Sequence, residues 1–382
     1  MAGPLTGIRV VELAGLGPAP FAGMMLADMG ADVVRIDRPV PTDARPLDPL
    51  KRGRRSITVD LKQDAGKEVV LRLCGASDAL IEGYRPGVAE RLGIGPDECL
   101  ARNPRIVYGR MTGWGQDGPY AQAAGHDINY ISLTGALAAI GSTGGPPVAP
   151  LNLVGDFGGG GMLLAFGVVC GVLEAQRSGQ GQVIDAAMVD GASLLMGMMY
   201  GFRARGEWEL ERGANRLDGG APYYGIYECA DGKHVSVGPL EPQFYEAFVE
   251  VTGADPGLLD RQPDKDRWAA DREHIAGILA TKTRDEWAEL FEGVDACVAP
   301  ILDMEEAAAH PHNVARGTYH VSEGVVHPSP APRFSRTEPE VGEPYRPGAA
   351  TADVLHDAGF TTDEIDELVA ANVVGHDQGE QR

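Results

Sequence analysis

Two short segments carry side chains suited to moving protons. Gly125-His126-Asp127 offers an imidazole, the side chain that titrates closest to neutrality. Thirty positions on, Gly155-Asp156-Phe157 offers a carboxylate and runs into Gly158-Gly159-Gly160-Gly161. Glycine admits positive φ and lets a second backbone or a ligand come close. The stretch Met162 to Cys170 that follows has no polar face, which predicts a buried helix with Asp156 at its amino end. A carboxylate there is favoured by the helix dipole, and the N–H groups of Gly155, Asp156 and Phe157 are placed to meet a developing oxyanion. An N-cap is the more ordinary use of Asp at a helix start, and position alone favours the cap.

An acid/base pair needs a frame that fixes it. Gly7 to Leu13 reads as a buried strand, Ala14 to Pro20 as a turn, the residues through Met29 as a helix, and Ala31 to Asp37 as a second strand. This βαβ unit predicts a parallel, doubly wound opening. Strands over Ile57 to Leu61, Ala79 to Glu82 and Ile106 to Arg110, with a helix over 65–74, continue the alternation. Beyond the Gly-rich helix come a short strand over 183–185 and a helix carrying Met188, Met196, Met198 and Met199, read as packing or subunit-contact residues. Arg212 to Gly220 is a polar linker, and Tyr223 to Val237 reads as a hairpin turning at Asp231-Gly232. Helices over 243–252, 267–282 and 283–292 follow, then a Pro- and His-rich stretch over 299–347 and an amphipathic pattern from Thr351 to Ala371. The expected organisation is a large domain over 1–200, a linker over 201–220 and a small domain over 221–305. A return linker and the C-terminal part of the large domain occupy 306–372, and 373–382 is a tail, disordered from Gly375.

Composition bounds what such a protein can bind. The 382 residues are 43% hydrophobic and 23% charged, ordinary usage for a soluble chain with room for two domains. A net charge of −22 argues against nucleic acid or an anionic membrane as partner. An anionic ligand must then meet a local basic patch. Several of Arg38, Lys51, Arg52, Arg54, Arg55, Lys62, Arg85 and Arg91 fall just past strand ends, where doubly wound sheets bind ligands. As a set they read as a site for a phosphorylated ligand; singly, each reads equally well as a balance for nearby acids.

Gly15-x-Gly17 with an acidic end to the second strand imitates a dinucleotide fingerprint. Pro20 stands in for its third glycine and Pro18 removes a donor from the turn, so nicotinamide binding is not expected. Asp156 and the glycines interrupt the longest apolar run, and the amino terminus lacks signal-peptide regions, so the expectation is a cytoplasmic protein without a membrane partner. The five cysteines, Cys297 included, have no metal-ligand spacing and are expected as reduced packing residues. His310-Pro311-His312 supplies too few ligands, and no metal is expected.

The ordered segments Met29 to Pro39, Arg52 to Ser56, Glu82 to Val88, Gly113 to Tyr120 and Gly179 to Gln182 resemble the family III coenzyme A transferases over nearly the whole chain. The combination of His126, Asp156 and Glu241 resembles the isomerase branch of that family, its bacterial members most of all. The resemblance implies an α/β fold with a Rossmann-like large domain, built from both ends of the chain, and a smaller α+β domain. It further implies an interlocked homodimer whose active site lies between the large domain of one chain and the small domain of the other.

The activity it implies is interconversion of (2R)- and (2S)-2-methylacyl-CoA thioesters by 1,1-proton transfer through an enolate. His126 and Asp156 would flank Cα as the acid/base pair, Glu241 would orient His126 across the interface, and Asp127 and Asn152 would be further polar partners. Coenzyme A is part of the substrate, and no separate cofactor is implied. Its implied contacts are Arg38, Val59, Leu61, Lys62, Gly83, Tyr84, Arg85, Arg91, Gly125, Asp127 and Tyr130. The competing reading is a CoA-transferase in which Asp156 is a nucleophile. His126 argues against it, since a transferase needs no second base on the opposite face. Branched fatty acyl, bile-acid-like and arylpropionyl thioesters all fit the sequence.

Overall fold

Short runs of apolar residues become six parallel strands: β1 (Arg9–Leu13), β2 (Asp32–Asp37), β3 (Arg54–Thr58), β4 (Ala79–Glu82), β5 (Val107–Thr112) and β6 (Val183–Ala187). The computed structural model describes residues 3–39, 48–322 and 324–375; Met1, Ala2 and the expected tail from residue 376 lie outside the described residues. The strand order is β3-β2-β1-β4-β5-β6. A parallel sheet covered on both faces needs apolar residues on both faces. Val11, Leu13, Val34 and Leu80 pack to one side with Val69, Val70 and Leu73 of the helix Asp64–Gly75. Val10, Val33, Ala79 and Ile81 pack to the other with the helices Pro18–Asp28 and Met162–Ser178. Chain order reverses between β1 and β4, which opens a crevice at their carboxyl ends.

β3 begins three residues earlier than expected because its arginines are neutralised within the fold. Arg54 Nε lies 3.2 Å from Glu12 of β1, and Arg55 pairs with Asp32 and Asp357, each at 2.7 Å. Arg52, 3% exposed, makes a two-pronged pair with Asp28 at 2.9 and 2.6 Å. This corrects the ligand reading of the Arg52–Arg55 run: buried cations of this kind persist where a carboxylate meets them, and these are spent on the protein itself.

The helix Met162–Ser178 also departs from expectation. Leu164, Ala165, Val168, Val172 and Ala175 are buried, while Met162, Phe166, Val169 and Leu173 form an exposed apolar stripe at helical spacing. Together with the turn before it, the run Leu153–Ser178 is long and apolar enough to cross a membrane, with a mean hydropathy of 1.7. Its inner face is built into the sheet core instead.

The chain divides into two units, one of residues 1–134, 151–195 and 317–382, the other of 135–150 and 196–316. Residues 135–150, read from the sequence within the first block, cluster with the second unit. There β7 (Gly225–Glu228), β8 (His234–Val237) and β9 (Val298–Pro300) form an antiparallel sheet over a core that includes Tyr245, Phe248 and Trp287. The β7–β8 hairpin turns where Asp231-Gly232 predicts, with Gly232 at φ +74°. In the Pro- and His-rich stretch, β10 (Tyr319–Ser322) and β11 (Val325–Pro328) pair as a hairpin with no counterpart among the expected elements. Cys74, Cys99 and Cys229 are buried as expected of packing residues, whereas Cys170 and Cys297 are exposed.

Candidate active site

The loops after β1, β4 and β5 enclose a cleft of about 500 Å³. Leu16 to Pro18 come from the first loop, Gly83 to Pro86 from the second, and Met111 to Trp114 from the third; Ala121, Ala123 to His126, Asn129, Tyr130, Asp156 and Met188 complete the walls. The sheet therefore delivers the two proton-carrying candidates to the place where its strand order reverses.

His126 is exposed in the cleft and stands at the N-cap of the short helix Asp127–Ser132, in extended backbone conformation. The Asn129 side-chain oxygen accepts its backbone N–H at 3.0 Å, and the Asn129 N–H donates back to the His126 carbonyl at 2.8 Å. One turn on, the Tyr130 phenol donates to the Gly125 carbonyl. That ring is clamped between two glycines. A Cβ on Gly113 would come within 2.0 Å of Tyr130 Cε1 and one on Gly125 within 2.7 Å, so both positions need the missing side chain. The Trp114 indole meets the same ring edge-on at 4.8 Å.

Asp127 joins the two segments. It is 5% exposed, and its Oδ2 accepts the N–H of Gly155 at 2.6 Å and of Asp156 at 2.8 Å. A Cβ on Gly155 would lie 2.5 Å from that oxygen. Asp127 therefore fixes Asp156 against the turn that carries His126. This corrects two readings. The N–H groups of Gly155 and Asp156 serve a carboxylate of the same chain, so they do not form the expected oxyanion site. Asp127 points into the protein at these amides and not at a ligand.

Asp156 is not an N-cap either. It sits within a π-helical segment, Leu153–Gly161, that feeds directly into the helix Met162–Ser178, with the Met162 N–H donating to the Phe157 carbonyl. Such i to i+5 turns are rare and cluster at functional sites. The glycine run answers a packing need: Cβ atoms on Gly159, Gly160 and Gly161 would lie within 3 Å of Ala192, Met188 and Phe21 respectively. Backbone at Gly159 and the Met188 and Phe21 side chains at Gly160 and Gly161, not a ligand, take the space that these glycines leave. Phe157 packs against Phe21, with ring centroids 4.8 Å apart and tilted by 43°, and so belongs to this packing.

The Asp156 carboxyl is half-buried, and burial holds its pKa above the usual carboxylate value. Asn152, which donates to Oδ2 at 3.1 Å, opposes the shift; the charge of Asp127 adds to it, and His126 opposes it again. Gly17, at φ +67°, faces the same oxygen, and a Cβ there would stand 3.4 Å from it. An imidazole and a carboxyl group with this environment can exchange one proton with a substrate held between them.

The expected coenzyme A contacts separate into three groups. Gly83, Tyr84, Arg85, Gly125 and Tyr130 line the cleft. Arg85 is near enough to Tyr130 to offset part of the rise that burial and the Asp156 charge give that phenol. Arg38, Lys62 and Arg91 are exposed and do not line it, and Arg38 similarly offsets the effect of burial on Tyr84. Val59, 1% exposed, packs in the sheet core with Leu61 against it, which corrects the reading of the Val59 side chain as a ligand contact. Glu241 belongs to the second unit, exposed at the N-cap of the helix Pro242–Thr252. His310 and His312 meet each other through a 3.3 Å bond from the His312 N–H to His310 Nδ1. Sequence reasoning assigned no role to Leu16, Thr112, Ala123 or Ala124, and reached Asn129 only within the stretch Gly125 to Tyr130; all five also line the cleft. Only Asn129 left a trace, as the polar residue three positions after a cap.

Compared with known proteins, residues 5–349 match the model of CoA-transferase family III. The chain belongs to this family. Within it, the α-methylacyl-CoA racemase of Homo sapiens is 44% identical over 379 residues, covering 97% of both chains. The α-methylacyl-CoA racemase of Mus musculus is 43% identical over 384 residues, covering 98% of both. The crystal structure of Rv3272 from M. tuberculosis superposes with a TM-score of 0.77 at 26% identity, over 92% of this chain and 98% of that one. The chain thus shares its overall fold with that solved structure.

Proposed function

We propose that this family III member is an α-methylacyl-CoA racemase, which interconverts (2R)- and (2S)-2-methylacyl-CoA thioesters by 1,1-proton transfer. The observation that carries the reading is the joining of His126 and Asp156 in one cleft through Asp127, in a chain 44% identical to a racemase along its length. One of the two groups takes the α-proton and the other returns a proton to the opposite face, with the roles exchanged for the other enantiomer. An α-proton beside a thioester is weakly acidic, so stabilising the enolate must supply much of the rate. With the Gly155 and Asp156 N–H groups committed to Asp127, that task falls to the start of the helix Asp127–Ser132, whose Asp127 and Ile128 N–H groups have no intrahelical partner. Arg38, Lys62, Arg85 and Arg91 are exposed cations assigned to the phosphates of coenzyme A.

Two further parts of the reading rest on surface chemistry. The stripe of Met162, Phe166, Val169 and Leu173 is apolar and exposed, which favours cover by a second copy of the chain. In the interlocked dimer Glu241 from that second copy would support the charge of His126. The reaction draws on protein groups alone, and the acidic chain is assigned to the cytoplasm. His126→Ala and Asp156→Ala test the reading. Each should lower racemisation by about 10²-fold or more, measured by chiral analysis of the thioester starting from each enantiomer. Near-normal rates in either variant would remove that residue from the mechanism.

A further inference from the structure

Beneath the cleft wall lies a carboxyl group that the proton transfer does not use. Glu82, the last residue of β4, is 0% exposed. Its two oxygens serve two different donors: Oε2 accepts the Tyr84 backbone N–H at 2.5 Å, and Oε1 accepts Arg110 Nε at 3.0 Å. Arg110 reaches on to Glu90, in the helix Val88–Arg91, at 2.7 Å. Between these anchors run Gly83, Tyr84, Arg85 and Pro86, the segment that lines the cleft. The segment leaves through Gly87 at φ +82°, and the Pro86 carbonyl accepts the Gln122 side chain at 3.2 Å. One carboxylate thus fixes the point where the sheet hands the chain to the cleft.

We propose that Glu82 is a positioning residue whose ionised form holds the Gly83–Pro86 wall in the shape that receives the coenzyme A part of the thioester, so that affinity falls when Glu82 takes up a proton. The inference rests on the acyl-CoA reading of the cleft. A carboxylate only accepts, whereas a protonated carboxyl must donate from one oxygen. Each oxygen here faces one donor, so a proton on either one turns the charged acceptor of Tyr84 N–H and Arg110 into a neutral carboxyl and weakens both bonds. The charged and titratable groups around Glu82 are Arg110 from β5, Glu90 from the following helix, and the Tyr84 and Tyr108 phenols. Burial pushes the Glu82 pKa up to about 7, against the Tyr84 N–H and Arg110, with the Glu90 charge adding to the rise. Protonation therefore falls in the working range, and by linkage a ligand that requires the ionised form must lower that pKa.

The test is calorimetric titration of the full chain with acetyl-CoA from roughly pH 5.5 to 8.5, for wild type, Glu82→Gln and Glu90→Gln, beside racemisation kinetics. Wild-type affinity should weaken about tenfold as pH falls through the Glu82 inflection, as a one-unit shift on binding requires. Glu82→Gln should bind weakly throughout and lose that inflection, keeping only the one that the ligand phosphate contributes to both proteins; its KM should rise more than its kcat falls. Glu90→Gln alters an accessible side chain and should keep the inflection at a lower pH, because a charge that raises the Glu82 pKa is gone. Superimposable profiles for wild type and Glu82→Gln, or an unmoved midpoint in Glu90→Gln, would overturn the inference, and the second arm decides it if Glu82→Gln does not fold. Failure of the wild type to bind acetyl-CoA at any pH would instead overturn the acyl-CoA reading and this inference with it.

Discussion

Replacing Asp127 should separate the placing of Asp156 from its chemistry. In Asp127→Ala the N–H groups of Gly155 and Asp156, now bonded at 2.6 and 2.8 Å, lose their acceptor inside the protein. Each buried donor left unpaired costs about 1–3 kcal/mol, and with partial relaxation the pair should cost about 3 kcal/mol. At about 1–2 °C per kcal/mol for a chain of 382 residues, Tm should drop by roughly 3–6 °C. Activity should suffer more, because a shift of about 1 Å in a reacting group can cost on the order of 10²-fold in rate. Asp127→Asn retains an acceptor oxygen and should lose about tenfold, with less than half the fall in Tm.

The asparagine variant also carries a pH signature. The Asp127 charge is one cause of the raised Asp156 pKa, after burial, so its removal moves that pKa down. Asp156 must be ionised to act as a base, and the acid limb of kcat/KM in that direction should therefore shift to lower pH. The assays are thermal unfolding and pH-dependent racemisation of each enantiomer. A kcat for Asp127→Ala within twofold of wild type, with unchanged Tm, would refute the claim that Asp127 sets the site.

Other residues separate in the same way. Gly113→Ala should destabilise by about 1–3 kcal/mol and lower activity, because its Cβ would meet the Tyr130 ring at 2.0 Å; thermal melts and kinetics check both. Arg52→Ala should cost about 3–5 kcal/mol by leaving Asp28 buried and unpaired, whereas Arg38→Ala should leave Tm unchanged and raise the KM for the thioester. Calorimetric melts set against steady-state kinetics discriminate the two arginines. Glu82, with a folded-state pKa of about 7 above an ordinary value near 4.5, stabilises the fold most when protonated. That contribution is complete below about pH 4.5 and is lost as pH rises through about 7, so denaturant melts should show wild type losing up to about 3 kcal/mol relative to Glu82→Gln over that window.

The parts of this protein that follow local rules were legible in its sequence. Val10, Val11 and Leu13, or Ala79 to Glu82, can be read as buried strands because a parallel sheet demands apolar residues on both faces. The β7–β8 hairpin follows from Asp231-Gly232. What depended on partners far along the chain was not legible. The Arg52–Arg55 run looks like a ligand patch until Asp28, Asp32, Glu12 and Asp357 are folded against it. The same holds within the site. His126 and Asp156 stand out by type and by the glycines beside them, yet the glycines are explained by Ala192, Met188 and Phe21, and the amides of Gly155 and Asp156 by Asp127. No local pattern announces a π-helical turn, since it satisfies packing on both sides at once. The exposed stripe on Met162–Ser178 was hidden for a similar reason: an all-apolar helix reads as buried whether its cover comes from its own chain or from another.

The central claim, proton exchange at Cα between His126 and Asp156, has a direct measurement. Purified protein is incubated in deuterated water with one enantiomer of a 2-methylacyl-CoA and no free carboxylic acid, and the thioester is then analysed by chiral separation and mass spectrometry. The account predicts inversion accompanied by one deuterium at Cα. A thioester that neither inverts nor exchanges, but passes its coenzyme A to an added carboxylic acid, would contradict it and make Asp156 a nucleophile.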